Sequence, residues 1–221
     1  MKPGDFLLGV LDFFAILLPG AMATWLAIQY IPDPVLRDAL RLGIENPGTL
    51  SPWVTTGAFL LASYVLGHFV FMAGSKLDSS YDHWRRRTKP PDSDKVYHAA
   101  RKLQESVTGD LTGAEWTTLK WARAYIQVKA QHARAEIDRL EADQKFFRSL
   151  VVISIGFALH FFLSEAAPVA GLIAIGAAVM SFNRYVDQRW KMTELTYGTA
   201  VIVSKLAPPA GAAAGGGGTA E

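Results

Sequence analysis

The chain has no cysteine among its 221 residues. That absence excludes disulfide frameworks, thiol catalysis and thiolate metal sites together. Other chemistries lack their signatures: there is no Walker A run, no GxGxxG after a strand, no HExxH, no GxSxG and no cysteine and histidine metal spacing. Strand-type alternation is also missing, and with it the sheet on which most nucleotide sites are built. These absences predict a helical, non-enzymatic chain with no cofactor and no metal.

What the chain does have is apolar length. Half of its residues are hydrophobic, 11% are aromatic, and the mean hydropathy is +0.17, more apolar than an average soluble domain. The apolar residues gather in four blocks, 6–31, 53–74, about 147–164 and 167–183. Roughly 20 such residues cross a bilayer core of about 30 Å. The first two blocks meet that length; the last two lie near its lower limit and fit a hairpin in a thin or locally thinned bilayer.

The expected fold class is therefore all-α, a polytopic membrane protein with four transmembrane helices in two hairpins and a helical cytoplasmic insertion between the second and third spans. Its expected parts are a first hairpin over 1–74, a coiled-coil-like insertion over 75–146, a second hairpin over 147–191, and a flexible tail over 192–221. From Ala207 that tail is almost wholly Pro, Gly and Ala.

Orientation follows from lysine and arginine. Residues 75–148 carry 15 of them and 184–221 carry 4, against 2 in 32–52 and none in 164–168. By the positive-inside rule, the middle loop and both termini are expected in the cytoplasm, at the inner membrane if the cell is prokaryotic. Lys2 and Ala21-Met22-Ala23 superficially resemble a cleavable signal peptide, but Asp5 and Asp12 interrupt its n- and h-regions.

Within the first block, Asp5, Gly9, Asp12, Ile16, Pro19 and Ala23 share a helical stripe that is small or polar at every place but one. Pro19 and Gly20 predict a kink, and Trp25 and Tyr30 fall where an outer aromatic belt would lie. Asp33, Pro34 and Gly43 punctuate a short amphipathic helix in the first loop. In the second block, Ser63 and Gly67 make a small-xxx-small pair, while Tyr64 and His68 share a face.

Antiparallel spans would put Asp12 and His68 at similar depth, with Tyr64 beside them. A hydrogen bond that fixes span packing is the plainer reading of this intramembrane polar cluster. A proton or ion path is the other, since ionisable groups inside a membrane are functional candidates.

Arg85, Arg86, Arg87 and Lys89 follow the second block, and Arg184, Arg189 and Lys191 follow the fourth. Each set forms a collar suited to anionic headgroups, worth about 1 kcal/mol per cation; nucleic acid is not an expected partner. Asp78, Asp82 and His83 read as a solvated face or as partners for the arginines, without the second ligand group that a metal site needs.

In the insertion, Ser93 predicts a helix to about Val107, and Gly109 to Gly113 a turn. Thr112 and Glu115 form a capping box, and no Gly or Pro follows until Gly156, which predicts one unbroken helix into the third span. Ile126, Ala130, Ala133, Ile137, Leu140, Gln144 and Phe147 repeat at coiled-coil spacing. That seam suits the chain's own 93–107 helix or a sister subunit, and 93–147 is the expected surface for a cytoplasmic partner.

His160 lies near the outer end of the third span and needs no functional role there. In the fourth, Ala167, Ala170, Gly171, Ala174 and Ala178 favour close helix contact. The expected function is an oligomeric scaffold, sensor or membrane effector acting through cytoplasmic helices. The alternative is a small ion or proton channel or transporter using Asp12 and His68.

Overall fold

A computed structural model describes residues 3–31, 52–88, 95–109, 117–163 and 167–206. Among the described residues the chain is all-helical, with seven helices: α1 Pro3–Gln29, α2 Pro52–Ser75, α3 Leu77–Thr88, α4 Lys95–Thr108, α5 Thr118–Lys129, α6 Gln131–Leu163 and α7 Pro168–Leu206. Three of them open on proline. At the first helical position the missing N–H costs nothing and the fixed φ suits the turn.

Three helical stretches are long and apolar enough to cross a membrane: Thr56–His83, Ala133–Leu163 and Pro168–Leu206. A shorter apolar stretch, Ala15–Gln29, lies within α1. Large apolar side chains cover exposed faces of these helices, among them Leu61, Phe69 and Met72 of α2, Leu159 and Leu163 of α6, and Ile173 and Met180 of α7. Apolar surface this extensive needs an apolar environment or a partner.

The chain divides into two compact units. The first comprises Met1–Thr88 and Asp138–Arg189, the second Lys89–Ile137 and Trp190–Glu221. This division differs from the expected one: residues 138–146, expected in the insertion, belong to the first unit, and so do those at the insertion's start. Leu77–Thr88 groups with the apolar helices, because Tyr81 of α3 packs into a core with Tyr185 and Val186 of α7. Residues 192–206, expected as part of the flexible tail, are helical. No proline interrupts them, and Met192, Thr193, Thr196, Tyr197 and Ala200 are buried.

In the first unit α1 packs on α2 through glycine. A Cβ on Gly20 would stand 1.8 Å from the Ser63 carbonyl oxygen and 2.8 Å from the Gly67 backbone, and one on Gly67 would stand 2.3 Å from the Ile16 carbonyl oxygen. The expected small-xxx-small pair of α2 thus receives the α1 backbone. Thr24 Oγ1 donates to the Gly20 carbonyl at 2.9 Å and accepts from Ser63 Oγ at 3.2 Å, so the buried hydroxyls satisfy one another. α1 continues as a single helix through Pro19.

The second unit is built on α4, α5 and the end of α7. α4 packs against α5 and buries Ala100 and Gln104, while α5 buries Trp121, Ala122 and Ile126. Tyr97 meets Tyr197 edge to face at 5.6 Å, and Arg123 reaches the Met192 sulfur at 3.2 Å. α4 ends as the sequence predicts: Gly109 takes φ +57°, and its N–H bonds to the Glu105 carbonyl at 3.1 Å. A side chain at that φ costs about 1–2 kcal/mol. Gly109→Ala should therefore lower the unfolding free energy of the protein by that amount, read in a denaturant titration.

The expected unbroken helix is instead two. α5 starts from Thr117, which accepts from the Lys120 N–H at 3.4 Å, and ends at Ala130, whose backbone turns to φ −147°, ψ 62°. The Thr112 and Glu115 box, the Ser93 cap and the 33–43 helix lie outside the described residues. Alanine is the best helix former, so propensity does not break the helix here. The buried Trp121, Ala122 and Ile126 fix the path of α5, and Ala130 is itself 8% exposed. Packing overrides local preference. Ile126, Ala130, Ile137 and Leu140 of the seam are all buried within this one chain, and Lys145 pairs with Glu141 at 3.4 Å as its spacing predicts.

Candidate functional site

The densest polar group of the first unit surrounds Asp78. This carboxylate lies in the first turn of α3, where the positive end of the helix dipole favours it. Its Oδ1 accepts from the Tyr185 hydroxyl at 2.6 Å and from Arg189 Nη1, which also donates to the tyrosine oxygen at 2.7 Å. Its Oδ2 accepts from Arg148 Nη1 at 3.1 Å. Asp82, one turn further on, stands 3.7 Å from Arg189 Nη2. Two carboxylates thus meet two guanidinium groups, and the formal charges cancel.

Aromatic rings set the guanidinium planes. Arg189 lies 4.5 Å above the Tyr81 ring and Arg148 4.5 Å above the Phe71 ring, distances at which the ring quadrupole attracts a cation. Tyr81 meets Tyr185 at 5.9 Å, with Phe147 and Phe182 packed behind them. Gly74 gives Arg148 room: a Cβ there would stand 3.2 Å from its Cγ, and the side chain would have to give by a few tenths of an ångström. The site ties α3 to α6 and α7, with a tyrosine hydroxyl and two arginines spent on one carboxylate. It can hold helices in register.

Each expected site residue has a definite position or falls outside the described part. Tyr64 and His68 are adjacent on α2, their rings perpendicular at 4.6 Å, and Phe13 stacks on Tyr64 at 6.0 Å. Both are exposed. The Asp12 side chain lies outside the described residues, as do Lys89 and the side chains of Arg85, Arg86 and Arg87. Pro19 is fully buried and Gly20 makes the close contact with α2.

Of the second collar, Arg184 pairs with Asp187 at 3.2 Å and Lys191 is exposed. Arg189, expected to face headgroups, is turned inward onto Asp78 because a carboxylate and two phenol rings meet it there. Asp78 and Asp82 meet Arg148 and Arg189, which lie far from them in the sequence, while the side chains of the adjacent Arg85, Arg86 and Arg87, the arginines the sequence offered as partners, lie outside the described residues.

Sequence reasoning missed Arg148 and Tyr185 as members of this group. The signal was available for Arg148: it opens the third apolar block just as Asp78 follows the second, so the depth matching applied to Asp12 and His68 would have paired them. At the opposite end of the apolar helices a second group was also missed. Tyr30 and His160 Nδ1 share a hydrogen bond of 2.8 Å, and Trp25 stacks on Phe157 at 5.6 Å. The chain matches no protein-family model, no curated protein and no solved structure.

Proposed function

We propose that the chain is an integral membrane protein with four spans in two hairpins, both termini cytoplasmic, acting as a non-enzymatic oligomeric scaffold. Its polar helical unit is the part offered to partners, through the exposed sides of α4 and α5 that carry Arg101, Lys102, Glu105 and Lys129. The span added to the three long apolar stretches is α1, the first in the chain, whose 27 residues are long enough to cross a bilayer core of about 30 Å. The observation that carries the reading is how polar groups are used. Asp78, Arg148, Tyr185 and Arg189 are consumed by one another, and Thr24 and Ser63 bond to each other and to backbone. Polar residues spent in this way fix helices against helices. A conducting path instead keeps such groups facing water.

Flux measurements separate this reading from a channel. Protein reconstituted into liposomes should pass protons and monovalent cations no faster than empty liposomes do, and Asp12→Asn and His68→Ala should leave that result unchanged. Flux through the unaltered protein that either substitution abolishes would replace the scaffold by a channel lined by Asp12 and His68. Reporter tags fused at residue 90 and at the C-terminus should both be reached only from the cytoplasmic side.

A further inference from the structure

The second unit exposes few large apolar side chains, and they are not scattered. Among the described residues they are Val107 of α4, Val128 of α5, and Ile202 and Leu206 of α7. α4 and α5 are consecutive, packed on one another and joined by a short connection, so they run antiparallel and the start of α4 lies beside the end of α5. α7 touches α5 where Arg123 reaches Met192, and further along it touches the start of α4 where Tyr197 meets Tyr97. It therefore follows α5 in the same direction. Val128, Ile202 and Leu206 gather at the end of the unit where α5 and α7 finish, and Val107 stays at the other.

Lysine accompanies them. Lys129 follows Val128 and Lys205 precedes Leu206, both exposed and neither with a carboxylate partner among the described residues. α5 holds no Asp or Glu, and α7 holds none after Glu194. The start of α6 beside Lys129 adds one charge of each sign, Arg134 and Glu136, and Lys95 opens α4 just after Asp92 and Asp94, which lie outside the described residues. We propose that this end of the second unit docks on an anionic lipid surface. The apolar side chains enter the boundary between headgroups and acyl chains, while the two ammonium groups meet phosphate. A protein partner fits less well, because lysine is depleted at protein interfaces, and a second copy would set lysine against lysine. The proposal rests on one part of the scaffold reading, that the second unit lies outside the hydrocarbon.

The absence of cysteine allows one probe at a time. Val128→Cys, Ile202→Cys and, as a control near the other end of α4, the exposed Ser106→Cys are labelled singly with an environment-sensitive fluorophore. The full chain is held in nanodiscs of phosphatidylcholine, and vesicles are added. Vesicles rich in phosphatidylglycerol should move the emission of the first two labels to the blue and leave the Ser106→Cys label unchanged. Vesicles of phosphatidylcholine alone should move none. Lys129→Gln and Lys205→Gln should each raise the vesicle concentration at half effect by about fivefold, the worth of one lysine beside anionic headgroups.

Emission that ignores anionic vesicles, or follows neutral ones equally, overturns the docking and leaves the spanning reading standing. A shift that grows with protein concentration in the absence of vesicles marks a second copy as the occupant and overturns the lipid. A chain that stays soluble without lipid or detergent overturns the spanning reading instead, and the same vesicle titration then decides the docking on the soluble protein.

Discussion

Gly20→Ala should separate α1 from α2. The added methyl would lie 1.8 Å from the Ser63 carbonyl oxygen and 2.8 Å from the backbone of Gly67, both parts of a helix that cannot rotate away as a side chain can. Relief requires the two backbones to move apart, which also opens the contacts between Thr24 and Ser63. Overpacking of an ordinary core costs about 1–3 kcal/mol and occasionally more. With backbone as the obstacle, a loss of about 3 kcal/mol or more is expected, read as a lower unfolding midpoint in detergent.

Gly67→Ala meets the Ile16 carbonyl at 2.3 Å and should behave alike. The double substitution should cost less than the sum, because the first already opens the contact. Ser63→Ala is the control: it loses one hydroxyl bond, worth about 0.6 kcal/mol in such settings. Equal effects of Ser63→Ala and Gly20→Ala would refute the close backbone approach.

Asp78→Ala should be the most damaging change among the charged residues. It removes the one carboxylate shared by Arg148, Arg189 and Tyr185 and leaves two guanidinium groups facing each other across the gap. The Arg148 side chain is 11% exposed, so water cannot simply replace the lost partner. Asp78 is itself 37% exposed, so the loss should fall below the ~3–5 kcal/mol of a fully buried pair while exceeding that of a surface one. Replacing the participants together, Asp78→Leu with Arg148→Met and Arg189→Met, should recover most of that loss, since burying an ion pair is itself unfavourable. Arg101 and Glu105 of α4 pair at 3.0 Å but are about half exposed. Their removal should cost far less than the loss of Asp78, since solvent screens a surface pair. Thermal unfolding of the variants side by side checks the ranking, and an Asp78→Ala protein as stable as the Glu105→Ala one would refute it.

How far these groups were legible in the sequence depends on their separation along the chain. Local relations were legible: the pairing of Glu141 with Lys145, the stop at Gly109, the small residues Ser63 and Gly67. Each is set by helical spacing or by one residue's backbone freedom. Asp78 finds its partners 70, 107 and 111 residues away, and no periodicity records such a distance. Only the shared position at the ends of apolar blocks hinted at it. Arg189 shows how the same cue misleads, since a cation beyond an apolar block has the pattern of a lipid anchor whether it faces lipid or a carboxylate. The turn at Ala130 left no trace, because the residues that impose it are the buried ones of α5 and not the alanine.

The contact between Tyr30 and His160 joins α1 to α6 through an unusual pair of atoms. A phenol can donate to an unprotonated imidazole nitrogen, and its oxygen can equally accept from a protonated one. Either tautomer of the ring therefore keeps this bond, with its direction reversed. The clasp at that end of the two helices is indifferent to which ring nitrogen carries the hydrogen.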